Sequence, residues 1–105
     1  MNHSESIKNL QHSGELVKCH EDGSLELYCN LHLEVKRTFG YNQGRGYKAI
    51  EINGVRSLVH RVIAKAYLEN YDESLQVDHI NGAKSDNRPC NLRMVSNSRN
   101  ARGHN

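Results

Sequence analysis

The sequence contains no Trp, a single Phe, a single Pro and three Cys in 105 residues. Each scarcity removes a class of reading. With only five Tyr and one Phe, a platform that stacks the bases of a single strand is disfavoured. Cys19, Cys29 and Cys90 are far apart, odd in number and lack a Cys-x-x-Cys pair, so neither a disulfide framework nor a zinc ribbon is expected. Reduced thiols in a cytosolic protein are the default. No apolar run approaches the roughly 18–20 residues that span a bilayer, so no membrane partner is expected. The opening Met1-Asn2-His3-Ser4-Glu5 lacks the basic and apolar regions of a signal peptide, and a cytoplasmic location is expected. The length suits one domain with a thin core and leaves no room for separate cofactor and substrate domains.

Charge of one sign is also scarce in total. Lys plus Arg number 14 and Asp plus Glu 12, for a formal net charge of +2. The distribution says more than the sum. Residues 1–35 carry −4, residues 36–65 carry +6, residues 66–78 carry −4 and residues 79–105 carry +4. Two basic stretches can form a polyanion-binding face if the fold brings them together. Otherwise they are a solvated mixed surface.

Along the chain, residues 1–13 are polar and without clear periodicity, and read as a tail or a short helix. Leu16–Cys19 and Leu25–Tyr28 flank the turn-like Glu21-Asp22-Gly23, a hairpin signature. A third strand is expected over 33–39. The segment from Gly40 to Gly46 carries three glycines and reads as a loop. Tyr47, Ile50 and Ile52 precede Asn53-Gly54, and Val55, Leu58 and Val59 follow it, which predicts a hairpin through a type I′ turn. The period then changes. Val59, Val62, Ile63, Ala66 and Tyr67 recur at helical spacing, predicting a helix over 60–68. Val77 and Ile80 bracket Asp78-His79 in a short strand. A loop rich in Asn, Asp, Ser and Gly holds the only proline, Pro89, and Asn81 and Asn87 read as turn-formers there. Leu92, Met94 and Val95 form another strand, and a final helix is expected from about residue 98. His3, His12, His20 and His32 read as solvated.

The last third therefore has a strand–loop–strand–helix order. It places Asp78 and His79 on the first strand, Asn91 at the end of the loop and Asn100 on the helix. Asp and Asn oxygens suit Mg²⁺ or Mn²⁺. An adjacent neutral His suits a general base near pH 7. Successive strand residues point to opposite faces, so a bend or bulge at Asp78-His79 is expected if both serve one site.

Asp78-His79, Asn91 and Asn100, with intervals of 12 and 21 residues after His79, resemble the ββα-metal motif of HNH nucleases. The longer series is similar to the catalytic domain of phage HNH homing endonucleases. It runs Val59-His60-Arg61-Val62-Ile63-Ala64, Val77-Asp78-His79, Asn81-Gly82, Asp86-Asn87, Asn91-Leu92-Arg93 and Asn100. The resemblance covers about residues 14–105. It implies an α+β fold: a small antiparallel sheet of hairpins over 14–59, a connecting helix over 60–68 and a ββα-metal unit over 76–105.

The resemblance also implies roles. His79 would be the general base, Asp78 and Asn100 would bind one divalent cation, and Asn91 would be structural, orienting the loop. His104, one helical turn after Asn100, is a candidate extra ligand or phosphate contact. Lys84, Arg93, Arg99, Arg102 and Arg61 are candidate DNA contacts, with Arg88, Arg45 and Lys48 as further basic residues nearby. The implied activity is metal-dependent cleavage of double-stranded DNA, nicking one strand and leaving a 5′ phosphate and a 3′ hydroxyl. Such proteins act in the cytoplasm of a bacterial host when phage-encoded. They usually carry DNA-reading modules after the nuclease domain, and none follows here, so limited specificity or a targeting partner protein is expected. Two rival readings are a non-catalytic DNA-binding module of the same fold and a small regulatory factor that binds another protein.

Overall fold

The computed structural model describes residues 7–12, 14–29 and 34–96. Strands β1 (Ile7–His12), β2 (Glu15–His20), β3 (Leu25–Cys29) and β4 (Glu34–Thr38) form a four-stranded antiparallel sheet in chain order. Strands β5 (Tyr41–Gly44), β6 (Tyr47–Ile52) and β7 (Val55–Leu58) form a second, three-stranded antiparallel sheet. Helix α1 (Val59–Tyr67) follows without a break. Strands β8 (Gln76–His79) and β9 (Leu92–Val95) then pair as a two-stranded ribbon, with a 3₁₀ turn at Pro89–Asn91 leading into β9. The architecture is α+β, as expected, with every strand pair antiparallel.

Three expectations need correction. Residues 7–12 of the supposed tail are a strand, paired with β2 from Ile7↔His20 to His12↔Glu15. This edge strand buries only Leu10 and His12, and those only in part, so its alternation is too weak to read. The hairpins over 14–59 belong to two sheets rather than one. The glycine-rich stretch at 40–46 is not a loop: Tyr41–Gly44 is strand β5, with all four residues exposed and so without an apolar signal. It turns into β6 through Arg45 (φ 58°) and Gly46 (φ 87°), the same pairing of left-handed residues as Asn53 (φ 52°) and Gly54 (φ 80°) in the next hairpin.

Helix α1 is the hub. Its Val59, Val62, Ile63 and Ala64 are buried, and they pack with Val17, Cys19, Leu25, Ile50, Ile52 and Leu92 in one core. The helix touches both sheets and the ribbon. Each fully buried aliphatic side chain contributes roughly 1.5–3 kcal/mol, so this small set supplies much of the stability available to so short a chain. The helix ends where the Leu68 N–H donates to the Ala64 carbonyl at 2.8 Å. At the last residue of the helix, the Tyr67 hydroxyl donates to the Cys19 carbonyl at 2.9 Å and ties the helix to β2. Two of the supposedly solvated histidines are internal. His20 is 1% exposed, with Nε2 2.5 Å from Glu26 Oε2, and half-buried His12 places Nε2 3.1 Å from Ser57 Oγ. His3 and His32 lie outside the described residues.

Candidate active site

The ribbon is regular through the candidate pair. Asp78 stands opposite Arg93 and His79 opposite Leu92, with no register shift, so the expected bend or bulge is not there. Both residues nevertheless border one cavity of about 220 Å³, together with Tyr47, Gln76, Val77, Gly82 and Lys84. Among the described residues β8 pairs with β9 in regular antiparallel register. The two residues therefore share a cavity without a bulge in the strand.

Asp78 keeps a side-chain exposure of 35%, and its Oδ2 accepts a hydrogen bond from Arg93 Nε at 2.9 Å. His79 is 7% exposed. Its Nε2 lies 2.7 Å from Oδ1 of buried Asn87. Its ring packs edge-on against His60, with centroids 5.1 Å apart, and lies 6.4 Å from the Tyr47 ring. Burial holds the His60 pKa down at about 4, helped by the nearby His79 and Arg61 charges, so His60 is neutral at pH 7.

The loop from 80 to 91 is tied at several points. The Ile80 N–H donates to the Asn91 carbonyl at 2.8 Å, and the Gly82 N–H to the His79 carbonyl at 2.9 Å. Buried Asn91 uses its whole amide. Its Nδ2 donates to Asn81 Oδ1 and to the Asp86 carbonyl, each at 2.9 Å, and its Oδ1 accepts from the Asn81 N–H at 3.0 Å. Arg88 grips Asp86 through two hydrogen bonds of 2.7 Å. Those bonds, opposed by burial and helped by the Arg88 N–H and Asn81, hold the Asp86 carboxyl well below the usual carboxylate range. From below, the β2–β3 turn comes so close that a Cβ on Gly23 would sit 2.9 Å from the Asn87 carbonyl carbon.

The basic residues divide. Lys84 borders the cavity and holds its ammonium 4.9 Å from the Tyr47 ring centroid. Arg93 is 59% exposed beside Asp78. Arg61 is committed internally, donating to Tyr71 Oη at 2.8 Å and to the Leu75 carbonyl at 2.6 Å, so it braces the segment after α1 instead of facing a ligand. Asn100, Arg99, Arg102, His104 and the expected final helix lie outside the described residues. Among the described residues no group of three or more His, Cys, Asp or Glu is placed to hold a metal ion. A larger cleft, about 550 Å³, is lined by Glu21, Asp22, Tyr67, Arg88, Pro89 and Cys90. Its Asp22 is bound to Ser24 and Arg37, and its Arg88 to Asp86, so it has no comparable acid–base pair.

Residues 57–102 match the family described as HNH endonuclease. The chain is also similar to a solved structure of the HNH homing endonuclease I-HmuI, which concerns DNA binding and cleavage by that protein. The likeness has a TM-score of 0.61 at 27% sequence identity and covers 84% of this chain. The chain spans about half of that protein, 51% of its length. No curated protein matches the chain. The HNH match takes in α1, the β8–β9 ribbon and the loop between them, so Asp78, His79 and Asn91 fall inside it, as do Asn87 and Lys84. Asn87 is the residue the sequence reading undervalued. A lone Asn in a polar loop reads as a turn-former, and nothing in its spacing shows that its side chain reaches His79.

No helix among the described residues is long and apolar enough to cross a membrane.

Proposed function

We propose that the protein is a metal-dependent DNA endonuclease that hydrolyses a phosphodiester bond and nicks one strand. One observation carries this most: Asp78 and His79, inside the segment that matches the HNH endonuclease family, open onto the same cavity.

In this reading His79 is the general base that takes a proton from the attacking water. Asp78 is a cation ligand, and Asn100 is proposed as its companion. The donor chemistry fits. Asp78 offers a hard, partly exposed carboxylate, with Oδ2 meeting Arg93 and no hydrogen bond to Oδ1 among the described residues. Mg²⁺ is commonly held by one or two protein oxygens, with water and substrate phosphate completing the shell. A divalent cation held there would supply neutralisation of the charge that develops on the phosphate and the leaving 3′ oxygen. Asn91 holds the loop between the two strands and thereby fixes where β8 ends. Lys84 and Arg93 flank the cavity and contact phosphate oxygens, which positions the duplex without reading its sequence. His104, Arg99 and Arg102 are further candidates for phosphate contact.

Supercoiled plasmid incubated with the protein and Mg²⁺ or Mn²⁺ tests the proposal. The expected product is the open circle, abolished by EDTA and sealed by DNA ligase, because the ends are a 5′ phosphate and a 3′ hydroxyl. Binding of DNA without cutting under any common divalent cation would leave the non-catalytic DNA-binding reading in its place.

A further inference from the structure

We propose that Asn87 is a positioning residue for His79, accepting the Nε2–H and thereby fixing the imidazole in the tautomer whose Nδ1 can take a proton. The inference rests on the nuclease reading for its use in catalysis, but the contact itself belongs to the fold. The two side chains are 4% and 7% exposed and meet at 2.7 Å. A neutral imidazole has one donor nitrogen and one acceptor nitrogen, and the partner of one decides the state of the other.

With Asn87 Oδ1 toward the ring, Nε2 must carry the hydrogen, and Nδ1 keeps a free lone pair. With the amide reversed, Nδ2 would donate to Nε2, the hydrogen would move to Nδ1, and neither nitrogen could accept a proton from water. A general base at residue 79 therefore requires the first arrangement, and that is the orientation observed.

The loop is built to hold it. Asn87 lies between Asp86, which is fixed by Asn91 through its carbonyl and by Arg88 through its carboxylate, and the 3₁₀ turn at Pro89–Asn91. Its backbone rests on Gly23, which leaves no room for a side chain. His60 and Tyr47 pack around the imidazole and limit its rotation. Asn87 touches no reacting atom in this scheme; it acts through His79.

The test is NMR of the full chain with ¹⁵N-labelled histidine, free of metal and DNA, in mildly alkaline buffer. The wild type should show His79 as the Nε2–H tautomer. Asn87→Ala should populate the Nδ1–H form, while Asn87→Asp, which keeps an oxygen acceptor, should retain Nε2–H. Plasmid nicking should fall about 10–100-fold in kcat with little change in KM for Asn87→Ala, and recover in Asn87→Asp. A wild-type Nδ1–H tautomer, or an unchanged tautomer in folded Asn87→Ala, overturns the inference. If Asn87→Ala does not fold, a Nδ1–H signal in Asn87→Asp overturns it equally. A wild type that shows the Nε2–H tautomer yet cuts nothing would instead overturn the nuclease reading and leave Asn87 as the partner that orients His79.

Discussion

Replacing Gly23 by Ala separates the cost of a backbone conformation from the cost of a contact. Gly23 and Gly54 both have left-handed φ, +91° and +80°. They differ in surroundings. A Cβ on Gly54 meets nothing within 4 Å, whereas one on Gly23 would lie 2.9 Å from the Asn87 carbonyl carbon and 3.1 Å from the Arg88 nitrogen. Forcing Ala into a left-handed conformation costs about 1–2 kcal/mol. The stiffer unfolded chain returns about 0.4–1 kcal/mol. Gly54→Ala should therefore lose roughly 0–1.6 kcal/mol by these same terms. Gly23→Ala pays the same and adds overpacking against backbone, about 1–3 kcal/mol, because no flexible side chain can move aside. Its total is then about 1–4.6 kcal/mol, or a melting temperature lower by something on the order of 10 °C. Urea unfolding of both variants and the wild type measures this. Nicking should also fall in Gly23→Ala, since the displaced segment carries Asn87, and stay unchanged in Gly54→Ala. Equal unfolding midpoints for the two variants would refute the claim that the β2–β3 turn braces the loop.

Three further outcomes are expected. Burial lowers the His60 pKa from 6.5 to about 4, so between those values the unfolded chain holds a proton that the folded chain does not. Stability should thus fall as the pH drops through that window, by about 3 kcal/mol in all, and His60→Phe should flatten the slope in urea titrations run from pH 7 to pH 4. Burial pushes the Cys19 thiol up to about 12, while Cys90 is exposed, so mass spectrometry should find Cys90 alkylated in the folded protein and Cys19 only after unfolding. Asn91→Ala removes three hydrogen bonds from a buried amide and should cost about 2–3 kcal/mol in chemical denaturation, at about 1 kcal/mol each with partial replacement by water.

The parts of the fold that were legible in the sequence are those with a strong local code. Asn53-Gly54 between apolar alternations gave β6 and β7, and the 3.6-residue stripe from Val59 to Tyr67 gave α1 within a residue. What was not legible depends on neighbours distant in the chain. Strand β1 owes its conformation to pairing with β2, and β5 owes its own to pairing with β6, and neither buries enough apolar surface to leave a periodic trace. The same holds at the site. Asp78 and His79 were readable as a chemical pair, but the bulge expected from the alternation of strand side chains is not there: the ribbon stays in register and both residues still border one cavity. His60, Asn87 and Gly23 acquire their meaning only from contacts across 19, 8 and 64 positions, distances at which no spacing rule operates.

The most direct test of the central claim compares wild type with His79→Ala in a plasmid-nicking time course with Mg²⁺ and with Mn²⁺, after circular dichroism has shown both to be folded. The wild type should convert supercoiled plasmid to open circle, and His79→Ala should lose at least 100-fold in rate, about the low end of what a general base contributes. Equal cutting by the two proteins would remove His79 from its role. No cutting by the wild type with either cation would contradict the assignment of nuclease activity to this chain.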